Sequence, residues 1–419
     1  MNLFYTLEKN FNGFTLSAFN NKIKLLNVSP GPAQIPSKVI KSVARDLTSD
    51  SKFNFKFGNT PLEMSHRSPE FFKILNSLNK NLRTFMKIPN DFKIIWTPGG
   101  GHGQFAAIPL NLRNILKANN FYYAVNGTWS NRAFLESKQF VKSKNIFENF
   151  YDKQENILQY NSMPQISEEL INKMEQDSYL YICSNETVNG IEFQQDNFGY
   201  PDKKLLQNNK LIVDMSSDFL MKSVNWNNID VAFACSSKNM GVAGSNVVII
   251  KKDILDELSQ SQQKYELPSI LNWKLYNDSN SLYNTPAIFN LYLTNKLLLH
   301  YKKYGNIGFH NENTKLKGKY IYDFLDSSTL FKPCVKDKNI RSNINIPFLV
   351  NNGCLTTRNK FLHYCYMNNI VGLRTKTPFS YEDLNLKEPL RINLYNGISF
   401  KETKKIIHFL QKFENIFFS

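Results

Sequence analysis

Six short apolar runs, at residues 93–96, 122–125, 180–183, 211–214, 231–234 and 247–250, punctuate the first two thirds of this chain. Each has the length of a β-strand, and between several of them lie segments long enough for a helix. Strands joined by helices cross over rather than fold back as hairpins, so the alternation predicts an α/β fold with a mostly parallel sheet. Beyond about residue 300 the rhythm changes. Helical stretches at 315–325, 360–368 and 401–413 alternate with strands near 345–350 and 390–394, which predicts a smaller α+β domain. The expected division is an N-terminal extension over 1–24, a large domain over 25–300 and a small domain over 301–419. Two polar segments, 259–266 and 376–387, read as insertions.

Composition narrows the function classes. Hydrophobic residues make up 42% and aromatics 14%, which suits a globular chain. No apolar run approaches the roughly 18 residues that a membrane helix needs. The net charge of +16 raises the question of nucleic acid. The lysines, however, are scattered among asparagines, without a dense basic block or zinc-finger spacing, so no nucleic-acid partner is expected. A positive field still attracts anionic, phosphorylated substrates. The five cysteines are odd in number and irregularly spaced, with no CxxC. They point to a reducing compartment, the cytoplasm, and away from a disulfide framework or a metal site. Residues 1–24 lack the apolar core of a signal peptide and the arginines of a transit peptide. They read as a loosely packed extension, with an organelle signal as the alternative.

Three local features carry chemistry. Pro98-Gly99-Gly100-Gly101-His102-Gly103-Gln104 lies between a strand and a helix predicted over 104–112. Such a turn is either purely structural or a phosphate cup, because glycine lets the backbone approach a ligand and a helix N-terminus offers unpaired N–H groups. Asp214 ends an apolar strand; it is either a helix cap or a buried acid paired with a cation. Lys238 follows the strand at 231–234 through Cys235-Ser236-Ser237. A strand-end lysine is ordinarily solvated. Here small residues surround it, with Gly241, Ala243 and Gly244 close behind. Lysines in such settings can have lowered pKa values and form Schiff bases. Together the glycine loop, Asp214, Trp129 and Lys238 match the needs of pyridoxal phosphate: a phosphate cup, an anion for the ring nitrogen, a flat ring partner and an amine for the aldehyde.

The ordered motifs then resemble one family, phosphoserine aminotransferase, from about Asn27 to Phe413. They are Asn27-Val28-Ser29-Pro30-Gly31-Pro32-Ala33, Met64-Ser65-His66-Arg67-Ser68-Pro69-Glu70-Phe71, the glycine loop through Ala107, and Cys183-Ser184-Asn185-Glu186-Thr187-Val188-Asn189-Gly190. Asp214-Met215-Ser216-Ser217, Ser237-Lys238-Asn239 and Asn284-Thr285-Pro286 complete the set. The resemblance implies a type I pyridoxal-phosphate fold and amino transfer between glutamate and 3-phosphohydroxypyruvate, giving phosphoserine and 2-oxoglutarate. It implies that Lys238 holds the cofactor and moves the proton, Asp214 pairs with the ring nitrogen, Trp129 stacks on the ring and Thr187 bonds its hydroxyl. The phosphate would sit on Gly101, His102 and Ser237, with Asn284 and Thr285 reaching it from the second subunit of a homodimer. Arg391 would hold the substrate α-carboxylate, and His66 and Arg67 the distal anion.

The chain departs from the family pattern in three places. Position 237 is serine where glutamine is usual, and His102 stands where some members have arginine. The stretch at 376–387 lacks the His-Arg pair that many members set against the substrate phosphate, with Arg374 and Lys376 as possible substitutes. A related type I enzyme with another acceptor, or a non-catalytic relative on the same scaffold, are the rival readings.

Overall fold

The computed structural model describes residues 25–48, 60–147, 163, 165–194, 199–261, 265–373 and 389–418. The predicted extension and the segment at 376–387, with Arg374 and Lys376, lie outside the described residues.

All six apolar runs are strands of one seven-stranded sheet. Its spatial order is Phe92–Pro98, Ser245–Lys251, Val231–Cys235, Lys210–Asp214, Tyr179–Cys183, Asn120–Ala124 and Lys142–Asn145. Ser245–Lys251 runs antiparallel to both neighbours, and the other pairs are parallel. The strands alternate between two apolar layers, as the period of two demands. Leu180, Ile182, Leu211, Val213, Ala232 and Ala234 point into one core. Tyr179, Tyr181, Ile212, Val231 and Phe233 point into the other. Burial on both faces is why these runs read as continuously apolar. The seventh strand, Lys142–Asn145, is wholly polar and escapes that reading. It lies at the sheet edge, where it pairs with one neighbour only and its side chains face solvent at least in part.

The helix after the first strand begins earlier than the residue pattern implies, at Gly100 rather than Gln104. Gly99 and Gly100 take φ of +90° and +61°, the left-handed region that glycine enters without strain. The early start is pinned from the side: Gln104 Nε2 donates to Thr97 Oγ1 at 3.0 Å, and Trp273 Nε1 donates to Gln104 Oε1 at 3.0 Å. Tertiary bonds thus override the poor helix propensity of three glycines.

The C-terminal part carries a three-stranded antiparallel sheet of Phe331–Pro333, Asn345–Val350 and Leu390–Asn393. The helices Ile307–Ser327, Leu355–Met367 and Phe400–Phe418 contribute to its core. Leu26 and Val28 are buried in that same core, and Leu26–Asn27 pairs in parallel with Ile370–Val371. The first described residues are therefore stitched to the last third of the chain. The segment that follows, Pro30-Gly31-Pro32, crosses to the carboxyl ends of the large-sheet strands.

Candidate active site

Open α/β sheets place their ligands beyond the carboxyl ends of the strands. Here a cavity of about 710 Å³ opens there. It is lined by Gly101, His102, Trp129, Thr187, Asp214, Ser237, Lys238 and Arg391, all of them residues expected at the site.

Lys238 hangs from the turn after Val231–Cys235 and is half-buried. Its Nζ donates to Thr187 Oγ1 at 2.6 Å and lies 5.5 Å from the centre of the Trp129 ring. Burial works against the ammonium charge, but the neighbouring Tyr395, Cys235 and Asp214 outweigh it, so the Lys238 pKa sits above its usual value. The lowered pKa expected for such a lysine is not what this pocket produces. Tyr395 first, then Cys235 and Asp214, favour the charged form.

Asp214 is buried at the end of its strand. Its Oδ1 accepts from the Ser216 backbone N–H at 2.8 Å and its Oδ2 from the Tyr181 hydroxyl at 3.2 Å. The helix-cap reading fails, because a turn rather than a helix follows the strand; Asp214 is instead a buried acid that ties that turn and feels the Lys238 charge. Burial pushes its carboxyl above the usual range, while Ser216, Lys238 and Tyr181 pull it back.

Trp129 is the second residue of helix Thr128–Ser137, and the His102 ring meets it edge-on, 5.7 Å away at 77°. Arg391 comes from the three-stranded sheet and is 5% exposed. Its Nη1 donates to the Thr187 carbonyl, and burial lowers its pKa to about 10, so it stays charged at neutral pH. Arg391 Nε and Trp129 Nε1 are buried without a hydrogen-bond partner among the described residues. Such groups are costly unless a ligand or water meets them.

The cavity therefore combines a helix N-terminus at Gly100, a buried acid, a flat ring, an amine and an unsatisfied guanidinium. A planar, anionic ligand with a carbonyl function fits that donor set. Four expected residues are elsewhere. His66, Arg67, Asn284 and Thr285 line a separate hollow of about 350 Å³ with Leu282 and Tyr283. The fold brings these four together but not to Lys238. The cavity also has walls that the residue pattern did not assign: Pro30 to Pro32, Cys183, Asn185, Ser216, Ser217 and Cys235. The signal for Pro30 to Pro32 was their own quoted motif, and for the others adjacency to Asp214, Thr187 or Lys238.

A family model described as aminotransferase class-V matches residues 25–403. The chain belongs to the class-V aminotransferases. Among these it is 32% identical over 394 residues to a probable phosphoserine aminotransferase of Caenorhabditis elegans, covering 93% of this chain and 97% of the relative. It is 33% identical over 402 residues to a phosphoserine aminotransferase of Buchnera aphidicola subsp. Baizongia pistaciae, covering 94% and 98%. The pyridoxal-phosphate-bound phosphoserine aminotransferase of Trichomonas vaginalis has a similar structure, with a TM-score of 0.79 at 28% identity over 93% of this chain and all of that one. The phosphoserine aminotransferase of Bacillus circulans subsp. alkalophilus gives a TM-score of 0.79 at 26% identity over 94% and 99%. The class-V aminotransferase architecture described above is thus the type I pyridoxal-phosphate fold.

Proposed function

We propose that this class-V aminotransferase uses pyridoxal phosphate to move the amino group between glutamate and 3-phosphohydroxypyruvate, yielding phosphoserine and 2-oxoglutarate in serine biosynthesis. The observation that carries the reading is the placement of Lys238 Nζ between Thr187 and the Trp129 ring, with Asp214 buried beneath the same cavity.

Pyridoxal phosphate, when bound, supplies an aldehyde that links to amines and a ring that draws electrons from the substrate Cα. Lys238 would hold it, with Asp214 at the ring nitrogen, Trp129 on the ring face and Thr187 at the ring hydroxyl. Gly101, His102 and Ser237 would take its phosphate, the first two through backbone N–H groups at the helix N-terminus. Arg391 binds the substrate α-carboxylate; its Nη1 is anchored on Thr187, which leaves Nε for the ligand. Lys238 Nζ, in its uncharged form, would take the proton from the substrate Cα as general base. Thr187 Oγ1 accepts from that amine and so orients it at the cavity.

The hollow holding His66, Arg67, Asn284 and Thr285 supports a homodimer in which these residues complete the partner's cavity. His66 and Arg67 would then meet the distal anion, and Asn284 and Thr285 the cofactor phosphate. The cytoplasmic assignment rests on the cysteine pattern of the sequence. No helix among the described residues is long and apolar enough to cross a membrane.

Two measurements test the function. Purified protein with added pyridoxal phosphate should absorb in the visible, and Lys238→Ala should abolish that band; a colourless wild type defeats the proposal. Glutamate-dependent turnover should then favour 3-phosphohydroxypyruvate over hydroxypyruvate. Equal turnover of the two would instead point to a related acceptor, as the altered stretch at 376–387 allows.

A further inference from the structure

Glu186 is fully buried at the start of the hairpin formed by Asn185–Glu186 and Ile191–Glu192. No lysine or arginine forms an ion pair with it among the described residues. A lone buried carboxylate is expensive unless hydrogen bonds meet it. Burial pushes its pKa up, and three bonds from one helix N-terminus oppose that rise. Its Oε2 accepts from the Trp129 N–H at 2.9 Å, and its Oε1 from the Ser130 N–H and the Ser130 hydroxyl, each at 2.7 Å. Three residues on, Asn189 Oδ1 accepts from the Thr128 N–H at 2.9 Å. The first N–H groups of helix Thr128–Ser137 are therefore all met by side chains of this one turn. The helix's own N-cap is Gly127, which has no side chain to do it.

The close approach leaves little freedom. A Cβ on Gly127 would lie 2.2 Å from Glu186 Cγ and Cδ. Residue 187 of the same turn holds Lys238 through Oγ1 and Arg391 through its carbonyl. One turn thus touches the amine, the guanidinium and, through Glu186, the backbone of Trp129.

We propose that Glu186 is a positioning residue whose carboxylate seats the first turn of helix Thr128–Ser137 and so sets the plane of the Trp129 ring against the ligand held at Lys238. The claim rests on the aminotransferase reading above. Glu186→Gln keeps the shape but offers one acceptor oxygen to three donors, and its NH₂ must face an N–H. The helix start then shifts or loses a bond, and Trp129 shifts with it.

The test uses the holoenzyme. Glu186→Gln should lose at least half of the visible circular dichroism of bound pyridoxal phosphate and bind it about tenfold more weakly, the scale of one charge-assisted hydrogen bond. In a Trp129→Ala background the same substitution should weaken cofactor binding by less than about threefold, since the ring that Glu186 positions is gone. Asn189→Ala removes the bond at Thr128 but leaves Trp129 and Ser130 held by Glu186, and should lose less of the dichroism than Glu186→Gln. Should Glu186→Gln fail to fold, Gly127→Ala, which displaces the carboxylate sterically, carries the test with the same expected losses. The inference is overturned if Glu186→Gln has wild-type dichroism and affinity. It also fails if the loss is equal in the Trp129→Ala background, or if Asn189→Ala loses as much. A wild type that takes up no pyridoxal phosphate would overturn the aminotransferase reading and this inference with it. A coloured wild type beside an unaffected variant overturns this inference alone.

Discussion

At the scale of residues, Lys238 and Arg391 show how far a linear pattern reaches. A lysine just past a strand is ordinarily solvated, and only its small neighbours and the ordered motifs marked it out. In the fold it faces the cavity beside Thr187 and Trp129. Arg391 lies in a short apolar strand and is buried there with Nε unpartnered. Arg391→Ala should raise KM for glutamate and phosphoserine alike by roughly 10- to 100-fold, the scale of one or two charge-assisted hydrogen bonds. Steady-state kinetics with both amino donors decide this, and an unchanged KM for both would remove its assigned role. The partners of these residues were not legible. Nothing in the residue pattern aims Glu186 at Trp129, because the two are 57 positions apart and meet only when the hairpin docks on the helix.

At the scale of elements, the apolar strands were legible because burial on both faces leaves no alternative composition. The glycine-led helix start was not, because the hydrogen bonds of Gln104, donated to Thr97 and accepted from Trp273, decide it. A second contact of this kind holds the turn behind Arg391. Lys317, fully buried in helix Ile307–Ser327, donates from Nζ to the carbonyls of Leu394 at 2.7 Å, Ile398 at 3.0 Å and Tyr395 at 3.2 Å. Burial lowers its pKa to about 7, with Glu402 opposing. An unfolded lysine titrates near 10.4, so between about 7 and 10.4 the unfolded chain binds more protons than the folded one. Stability from this group is therefore largest above that window and is lost as pH falls through about 7. Lys317→Met should destabilise by about 1–3 kcal/mol for each stranded carbonyl. Denaturant unfolding followed from pH 7 to 10 should show the gap to wild type widening as pH rises. A constant gap would mean that Lys317 keeps an ordinary pKa.

At the scale of the whole molecule, the central cavity draws on both the large sheet and the three-stranded sheet, while His66, Arg67, Asn284 and Thr285 gather in a hollow of their own. The proposed dimer makes sense of that separation and can be tested by mixing. Lys238→Ala and Arg67→Ala chains should each be nearly inactive alone. Unfolded together and reassembled at equal amounts, they should recover about a quarter of wild-type activity, since half the dimers are hybrids and each hybrid has one intact site. No recovery, despite hybrid dimers seen by native mass spectrometry, would mean that Lys238 and Arg67 serve the site of their own chain, and would sink the shared-site dimer.

The sequence by itself determined the order of the apolar strands and singled out the lysine that faces the cavity, because periodicity and ordered motifs are properties of neighbouring residues. Which distant groups share a cavity was decided by the tertiary structure alone. Sheet order brings Asp214 beside Lys238, a buried hairpin sets Glu186 under Trp129, and Arg391 arrives from another sheet. Those meetings depend on burial and crossover, which no stretch of neighbours encodes.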